Sequence, residues 1–361
     1  MSKLPKIRVT ETAGLRRFLY PLTVKVKLPD EFDYRRLSLY KADGTPVPIQ
    51  TGGFDISDDD EIYLVGVDFA VSLAPNEAIE LEFREGAPEI VPDRLNIKLT
   101  DDLYINKQQR IRMEIGRDAM LRSIVYDRVS HLRAPLTITR TNHTMITRPL
   151  HYKFPPKLVS TLSGSVGAQC QYEDGIEGRT STSITACKSW ATVSHGVTDL
   201  PAGDAVTFTL PFAATGEKLV ADFGTGNGTY AHIPAETDKA ITWRAEQSEA
   251  GWSWQLHVND RLDYSSTLLP HELAARNWFH VIDAEKSIAV AVLSSLDGLA
   301  SLETRITGNG DIVTTFICDE SERPEREFKI CYHFLNALPP IAAATNPHSI
   351  LEPPVVEVIT G

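Results

Sequence analysis

Apolar and polar residues alternate along most of this chain. In the stretch TVKVKLP, Val24, Val26 and Leu28 would share one face of a strand, and Lys25 and Lys27 the other. The same period of two recurs in IELEF, RIRMEI, VTFTL and FKICYHF. Such alternation is typical of strands with one buried face and one solvated face. It therefore predicts antiparallel sheets through most of the sequence.

Helical periodicity is scarce. The best helix candidate is Pro270–Phe279, because a proline suits the first turn of a helix. A shorter stretch, Asp118–Tyr126, fits either a helix or a strand. Turn signals such as Asp43-Gly44 separate the alternating stretches. We therefore expect an all-β protein.

A proline-bearing break, REGAPEIVPDR, separates two alternating blocks. Residues 1–94 are predicted to form a small β-barrel domain, and residues 95–345 are long enough for a large antiparallel β-sandwich. Residues 346–361 form a proline-bearing tail that we expect to lie over the surface. The predicted architecture is a small N-terminal barrel followed by a large sandwich.

Composition and charge narrow the class of protein. The chain has 361 residues and a formal net charge of -12. An acidic surface disfavours nucleic acids and anionic membranes as partners, because both need a basic footprint. The N-terminus has no apolar signal core, which predicts a cytoplasmic location. The four cysteines show no CxxC spacing, so we expect reduced, buried thiols rather than structural zinc.

Two tryptophans raise the question of sugar stacking. Trp252 and Trp254 would share their strand face with Leu256 and Val258. A face made of four large apolar residues is predicted to pack into the core.

A glycine-rich stretch, ADFGTGNGTYAH, has the composition of a nucleotide or S-adenosylmethionine site. Such sites need the glycine turn to open a helix whose amides hold the ligand. Here Pro234 falls where that helix would continue, and alternation resumes after it. We expect the glycines at 224–228 to form a turn between strands that binds no nucleotide. Tyr230 and His232, beside this turn, are candidate substrate contacts because loop positions often carry binding residues.

Residues 129–172 contain no Asp or Glu, in a chain with 48 acidic residues. We call this stretch the acid-free segment. Its bases would focus an electrostatic field towards an anionic ligand, unless neighbouring strands bring acidic side chains beside them. If no acidic side chains lie beside these bases, Arg140 and Arg148 would bind a carboxylate, and Lys153 would assist electrostatically.

The same segment contains candidates for proton transfer. A uronate lyase must abstract the proton beside a carboxylate and protonate the leaving oxygen, and His143, His151 and Tyr152 have suitable side chains. Arg179, just beyond the segment, is a further candidate for substrate binding. It lies in the stretch QYEDGIEGR, whose acids either bind calcium or form a solvated loop. No other metal or cofactor is predicted.

Several stretches of the sequence resemble the exo-rhamnogalacturonan-lyase-like family, the YetA-like group. The stretches VADFGTGNGTYAHI, NWFHVIDAEKSIAVAV and YHFLNALPPIAAATNPHSI resemble the β-sandwich of that family. Its N-terminal barrel begins with a Glu-x-x-Gly-x-x-Arg segment, followed by a strand ending in Leu-Pro and by an Asp-Gly turn before VPxQ. The matching residues here are Glu11, Gly14, Arg17, Leu28, Pro29, Asp43, Gly44, Val47, Pro48 and Gln50.

The resemblance implies a carbohydrate-active protein related to polysaccharide lyases, acting on an acidic or deoxy-sugar glycan by β-elimination. Members of that family continue into a helical toroid, and this sequence ends before one, so no family catalytic residue is carried over. Two alternatives stay open: a non-catalytic carbohydrate-binding or assembly subunit, and a structural oligomer. The expected ligand is an oligosaccharide or glycoside, and the expected assembly is a homo-oligomer or a complex with a partner subunit.

Overall fold

The computed structural model describes most of the chain. The residues outside the description are 1–3, 30–31, 57–61, 88–95, 100–102, 108–110, 152–154, 165, 174–179, 188–189, 199, 215–218, 223–229, 234–239, 249–250, 269–277, 284, 296–298, 320–326, 337–347 and 360–361. Antiparallel strands make up nearly all the regular structure of the described part. The predicted all-β fold is confirmed.

The first block of strands forms two small sheets. Their strand orders are β30-β1-β7-β3-β4 and β2-β6-β5, and a short 3-10 helix at Tyr34–Arg36 precedes β3. The strands are β1 (Lys6–Thr10), β2 (Arg17–Val26), β3 (Leu37–Lys41), β4 (Pro46–Val47), β5 (Ile49–Ile56), β6 (Ile62–Leu73), β7 (Ala78–Glu85) and β30 (Val355–Ile359).

A five-stranded antiparallel sheet follows, in the order β12-β11-β10-β9-β8. Each of its strands pairs with its neighbour in sequence, so the sheet is a meander. Its strands are β8 (Asn96–Leu99), β9 (Leu103–Lys107), β10 (Ile111–Ile115), β11 (Leu121–Tyr126) and β12 (Val129–Ser130).

Two large sheets form the sandwich. The eight-stranded sheet has the order β14-β13-β19-β28-β27-β22-β23-β24, and the nine-stranded sheet has the order β15-β16-β17-β18-β29-β26-β25-β20-β21. A short helix, α1 (His348–Leu351), precedes β30. The strands are β13 (Thr137–Thr141), β14 (Thr147–Pro149), β15 (Lys157–Ser163), β16 (Gly167–Glu173), β17 (Thr180–Cys187), β18 (Trp190–Thr198), β19 (Ala205–Pro211), β20 (Leu219–Asp222), β21 (Tyr230–Ile233), β22 (Ala240–Ser248), β23 (Gly251–Val258), β24 (Arg261–Leu268), β25 (Trp278–Asp283), β26 (Ile288–Ser294), β27 (Leu299–Thr307), β28 (Asp311–Cys318) and β29 (Glu327–Asn336).

Buried side chains form two separate hydrophobic clusters. One belongs to strands β1–β7, and the other joins β10 and β11 to both sheets of the sandwich. The large cluster contains the predicted apolar face of β23, where Trp252 and Trp254 are 6% and 0% exposed. The prediction that these tryptophans pack in the core is confirmed. The four cysteines are free thiols, three of them buried and Cys331 half-buried.

The predicted helix at Pro270–Phe279 is wrong where the structure describes it. Trp278 and Phe279 begin strand β25, and the residues before them lie outside the description. Every residue of β25 is buried, so the strand lacks the alternation by which a half-buried strand is recognised. The ambiguous stretch Asp118–Tyr126 contains a strand, β11.

The glycine-rich turn at 223–229 lies outside the described residues. The strands on either side of it, β20 and β21, are antiparallel neighbours. The prediction that this turn binds no nucleotide stays a prediction.

The C-terminal segment returns to the first block of strands. Strand β30 pairs antiparallel with β1 over five residues, and Val356 packs against the smaller cluster. The sequence analysis expected this segment to lie over the surface, and it did not predict the strand in the short apolar pattern VVEVI, which follows two prolines. The strand is at the edge of its sheet, and its residues are exposed or half-buried.

A buried ion pair fixes this arrangement. The carboxylate of Glu11 accepts hydrogen bonds from the backbone N–H groups of Ala13, Leu15 and Asn76, each at 3.1 Å. The Arg17 guanidinium donates to Glu11 at 2.8 Å and to the carbonyl of Glu352 at 2.6 Å. Both side chains are at most 1% exposed. The pair therefore joins the segment after β1, the turn before β7 and the approach to β30.

The residues of this pair belong to the Glu-x-x-Gly-x-x-Arg segment on which the family resemblance rests. Gly14 has φ of 70°, a left-handed conformation that favours glycine. Burial opposes ionisation of Glu11, but the hydrogen bonds from backbone amides and from Arg17 lower its pKa below the usual value. In this structure the segment has a structural role.

We expect Arg17→Met to lower the free energy of unfolding by about 3–5 kcal/mol, because it leaves a buried carboxylate without its counterion. Arg8→Met is the matched control, since the Arg8–Glu80 pair is about half exposed, and we expect it to cause little change. Urea denaturation monitored by circular dichroism measures both. Equal effects of the two substitutions would contradict the structural role of the buried pair.

Candidate functional site

The acid-free segment forms a hairpin at the edge of the eight-stranded sheet. Arg140 of β13 lies directly opposite Arg148 of β14, and His143 lies in the turn between the two strands. The structure thus brings together three residues that the sequence analysis singled out. His143 and Arg148 are exposed, and Arg140 is half-buried.

An acidic residue from another part of the chain is bound to this hairpin. The carboxylate of Asp204, just before β19, is 0% exposed. It accepts a hydrogen bond from Arg140 Nε at 2.6 Å and another from the backbone N–H of His143 at 3.1 Å. Arg133 similarly pairs with Asp311. Two bases of the acid-free segment are therefore neutralised by acids from outside it, which is the second alternative that the sequence left open.

The other predicted residues are more scattered. His151 is half-buried, and it lies close enough to His195 to influence the pKa of that residue. Tyr152, Lys153 and Arg179 lie outside the described residues.

The backbones of Tyr230 and His232 are described, and both belong to strand β21 of the nine-stranded sheet. Their side chains are not part of the description. The assignment of both residues as substrate contacts stays a prediction.

The nine-stranded sheet carries a second group of polar residues, which the sequence analysis did not identify. Its members lie directly opposite one another on successive strands, so they form a line across the sheet. This line, which we call the histidine row, consists of Gln169, Thr185, Thr192, His333, Ala291 and His280, on β16, β17, β18, β29, β26 and β25.

The histidine row lies on the outer face of the sheet, away from the sandwich core. On β29 the core positions include Tyr332 and Phe334, so alternation places His333 on the opposite face. On β25 the core positions are Phe279 and Val281, which places His280 on that outer face too. The residue opposite His280 on the next strand is Asp222, and Tyr230 lies opposite Asp222. The backbone position of Tyr230 therefore continues the register of the row.

Exposure decreases along the histidine row. Gln169 is exposed, Thr185 and Thr192 are half-buried, and His333 and His280 are 1% and 3% exposed. The row therefore leads from a solvated polar surface to a buried polar interior. All of its hydrogen-bonding side chains are uncharged when the histidines are neutral.

The buried end of the row has specific contacts. Thr192 Oγ1 and His333 Nδ1 form a hydrogen bond of 3.0 Å. The ring of Trp190 lies against the ring of His333, with centroids 4.8 Å apart and an interplanar angle of 44°. The buried atoms His333 Nε2, His280 Nε2 and Trp190 Nε1 have no hydrogen-bond partner.

Burial keeps these histidines neutral. Burial lowers the pKa of His280 to about 3. Burial and the neighbouring His280 lower the pKa of His333 to about 3. His195, on the core face of β18, has its pKa lowered to about 3 by burial and by His151. At neutral pH none of the three carries a positive charge that could hold a carboxylate.

Within the described ranges, no three His, Cys, Asp or Glu side chains converge in a way that could hold a metal ion. Of the acids considered for calcium, Glu173 is exposed at the end of β16, and 174–179 lie outside the description.

Sequence could have signalled only part of the histidine row. In the stretch FKICYHF, His333 occupies one of the positions that alternate with the apolar residues, so the pattern predicts that it lies on the outer face. The neighbours of His333 come from β18 and β26, which are far away in sequence. Which residue lies opposite which is set by the sheet order, and no local pattern reports that order.

Comparisons with known proteins show similarity at the level of the fold. No protein-family model and no curated protein matches the sequence. A solved structure of a glycosyl hydrolase family 38 protein from Enterococcus faecalis is similar over 100% of this chain, with a TM-score of 0.60 and 13% identity. The chain spans 48% of the length of that protein.

Two further solved structures are less similar. They are the Slr1438 protein from Synechocystis, with a TM-score of 0.38, 10% identity and coverage of 69% of this chain and 98% of that one, and a TPR-domain containing protein from Parabacteroides distasonis, with a TM-score of 0.36, 7% identity and coverage of 93% and 58%. Separately, the described part of the chain contains no helix with the length and apolar character needed to cross a membrane.

We expect the protein to lose stability as the pH falls from about 6.5 towards 3. An unfolded histidine binds a proton near pH 6.5, whereas His195, His280 and His333 resist protonation down to about pH 3. In that window the unfolded chain binds more protons, so the free energy of unfolding decreases by up to about 1.4 kcal/mol per pH unit for each histidine.

Urea denaturation between pH 7.5 and 4.5 measures this slope. His333→Gln should make the dependence on pH shallower, and the exposed His143 provides the control substitution His143→Gln, which should leave it unchanged. If the free energy of unfolding has the same dependence on pH in wild type and both variants, His333 does not contribute to that dependence.

Proposed function

We propose that this chain is a carbohydrate-binding β-domain of a carbohydrate-active protein, and that its glycan binds on the outer face of the nine-stranded sheet. The observation that carries this proposal is the half-buried Trp190, whose ring lies against His333, which in turn is hydrogen-bonded to Thr192. A saccharide presents an apolar C–H face and a rim of hydroxyl groups. An aromatic ring next to uncharged hydrogen-bonding side chains matches both.

The surface beside Trp190 has the same character. The outward positions of β16 and β17 carry Gln169, Gln171, Ser181 and Ser183, which are exposed. These side chains donate and accept hydrogen bonds without adding charge. They extend the polar surface away from Trp190, as a ligand longer than one sugar unit would require.

The similarity to a glycosyl hydrolase family 38 protein supports a carbohydrate-active role at the level of the fold. Because this chain spans 48% of that protein, the similarity does not carry a catalytic site to it. A binding role needs only the surface that the described residues supply. We therefore favour binding over catalysis.

An acidic-glycan lyase is the second candidate function. It is favoured by the direct opposition of Arg140 and Arg148, which would place two guanidinium groups near one carboxylate. It is disfavoured by the ion pair between Arg140 and Asp204, because Arg140 already donates a hydrogen bond to that carboxylate. His151 and Tyr152 would be its proton-transfer groups, as in the sequence analysis.

We expect Trp190→Ala to weaken the affinity for a bound oligosaccharide by about thirtyfold, the equivalent of about 2 kcal/mol for loss of a central aromatic contact. Trp190→Phe is the matched control and should keep most of the affinity, because it retains an aromatic face. Isothermal titration calorimetry with cellotriose, mannotriose and trigalacturonate measures these affinities. Binding by Trp190→Ala at wild-type strength would refute the proposed site.

The lyase alternative makes a different prediction. Incubation of the protein with polygalacturonate would release unsaturated uronates, which absorb in the ultraviolet, and His151→Ala would abolish that release. Arg148→Ala would weaken uronate binding by roughly ten- to a hundredfold through loss of a charge-assisted hydrogen bond. Binding of a neutral trisaccharide without any unsaturated product would reject this alternative in favour of the binding domain.

A further inference from the structure

We propose that strand β30 is an interaction surface, and that its partner is the same strand of a second copy of this chain. The two strands would pair antiparallel across a two-fold axis and join two five-stranded sheets into one. This surface belongs to the first block of strands, away from the nine-stranded sheet to which the glycan is assigned. Its test therefore does not depend on glycan binding.

The first argument is the free edge of β30. Among the described strands, β30 is the first in the order β30-β1-β7-β3-β4 and pairs with β1 alone. In an antiparallel ladder, alternate residues direct their N–H and C=O groups towards one neighbour, so those of the intervening residues point away from it. Such an edge is a template on which another strand can pair.

The second argument is that exposed apolar side chains are concentrated near this edge. Arg17 donates a hydrogen bond to the carbonyl of Glu352, just before β30, which brings the start of β2 to the same place. Of the eleven exposed large apolar residues in the described part of the chain, four lie in this region: Phe18, Leu351, Val355 and Val358. A contiguous group of exposed apolar side chains indicates an interaction site, whereas a single one does not.

The third argument is that the inner face of this sheet continues onto β30 but is uncovered there. Val358 lies directly opposite Ile7 of β1, and residues opposite one another point to the same face. Ile7 is 0% exposed and belongs to the smaller hydrophobic cluster, whereas Val358 is 42% exposed. A further strand paired with β30 would bury Val358 and extend the cluster.

The fourth argument is that the sequence of β30 is complementary to itself. In the strand VVEVI, Glu357 is the central residue and has two apolar residues on each side. In a two-fold antiparallel pair centred on Glu357, Val355 lies opposite the partner's Ile359, and Val356 lies opposite the partner's Val358. Both kinds of pair are apolar, and all five residues of the strand are paired. This symmetry favours a second copy over an unrelated strand.

The central residue and the size of the interface make the association weak. Glu357 would lie opposite the partner's Glu357, and like charges directly opposite each other oppose pairing. Arg8 lies opposite Glu357 on β1 of the same chain, so it reduces this repulsion. An interface made of two five-residue strands falls below about 1,200 Å², the range of weak and reversible complexes. We therefore expect a dimer whose population depends on protein concentration.

Sedimentation velocity of the full chain, from low to high micromolar concentration, tests the proposal. We expect wild type to pass reversibly from one chain to two as the concentration rises. Val358→Lys should weaken the dimer about tenfold, because it places a charge in each of two apolar pairs. Glu357→Gln should strengthen the dimer, because it removes the like-charge contact. Leu262→Lys is the matched control, since Leu262 is an exposed apolar residue on β24, at the edge of the eight-stranded sheet, and it should leave the dimer unchanged.

Disulfide cross-linking tests the register. Residues opposite one another on antiparallel strands have Cα atoms about 5 Å apart, which a disulfide can span. Glu357→Cys should therefore form a covalent dimer on mild oxidation. Val355→Cys is its control, because the two copies of Val355 would be about 14 Å apart, which is too far for a disulfide. The double variant with Val355→Cys and Ile359→Cys should cross-link again.

Circular dichroism establishes that each variant is folded, and Val355→Lys replaces Val358→Lys if the latter is not. The proposal is overturned if wild type and Glu357→Gln remain single chains at every concentration. A dimer that the folded lysine variants of β30 leave unchanged would also overturn it. Cross-linking of Val355→Cys but not of Glu357→Cys would overturn the two-fold pairing centred on Glu357.

Discussion

The burial of the core face of β29 is the constraint on which the nine-stranded sheet depends. Phe328, Ile330, Tyr332 and Phe334 are all fully buried in the sandwich. A shift of one residue in the register of β29 would move all four side chains to the outer face, so the hydrophobic core allows only the observed register. That register places His333 on the outer face. The position of His333 is therefore a consequence of core packing on the other side of the same strand.

A second constraint holds the two ends of the chain together. The carboxylate of Glu11 is satisfied by backbone amides and by Arg17, which also reaches the carbonyl of Glu352. A buried charge is tolerated only when it is paired in this way. The segment that resembles the lyase-like family thus explains how β30 comes to lie beside β1. Its residues make structural contacts and line no site among the described residues.

The basic hairpin shows how tertiary contacts change the meaning of a local pattern. Counted along the sequence, the acid-free segment is strongly positive. In the folded chain Asp204 and Asp311 pair with Arg140 and Arg133, although they come from distant positions. The histidine row differs, because none of its six residues carries a basic side chain that an acid could neutralise. The count of charges along the sequence therefore does not predict the electrostatics of the folded hairpin.

The sequence by itself determined the all-β class and the inward faces of strands such as β19, because a half-buried strand records its two environments in alternate residues. It also determined the core position of Trp254. It did not determine β25, since a strand buried on both faces has no alternation, nor the line that joins His280, Ala291 and His333. Only the tertiary structure decided that line, because the order and register of strands depend on packing between distant segments. The same packing buries the histidines and lowers the pKa of each, which no local sequence pattern reports.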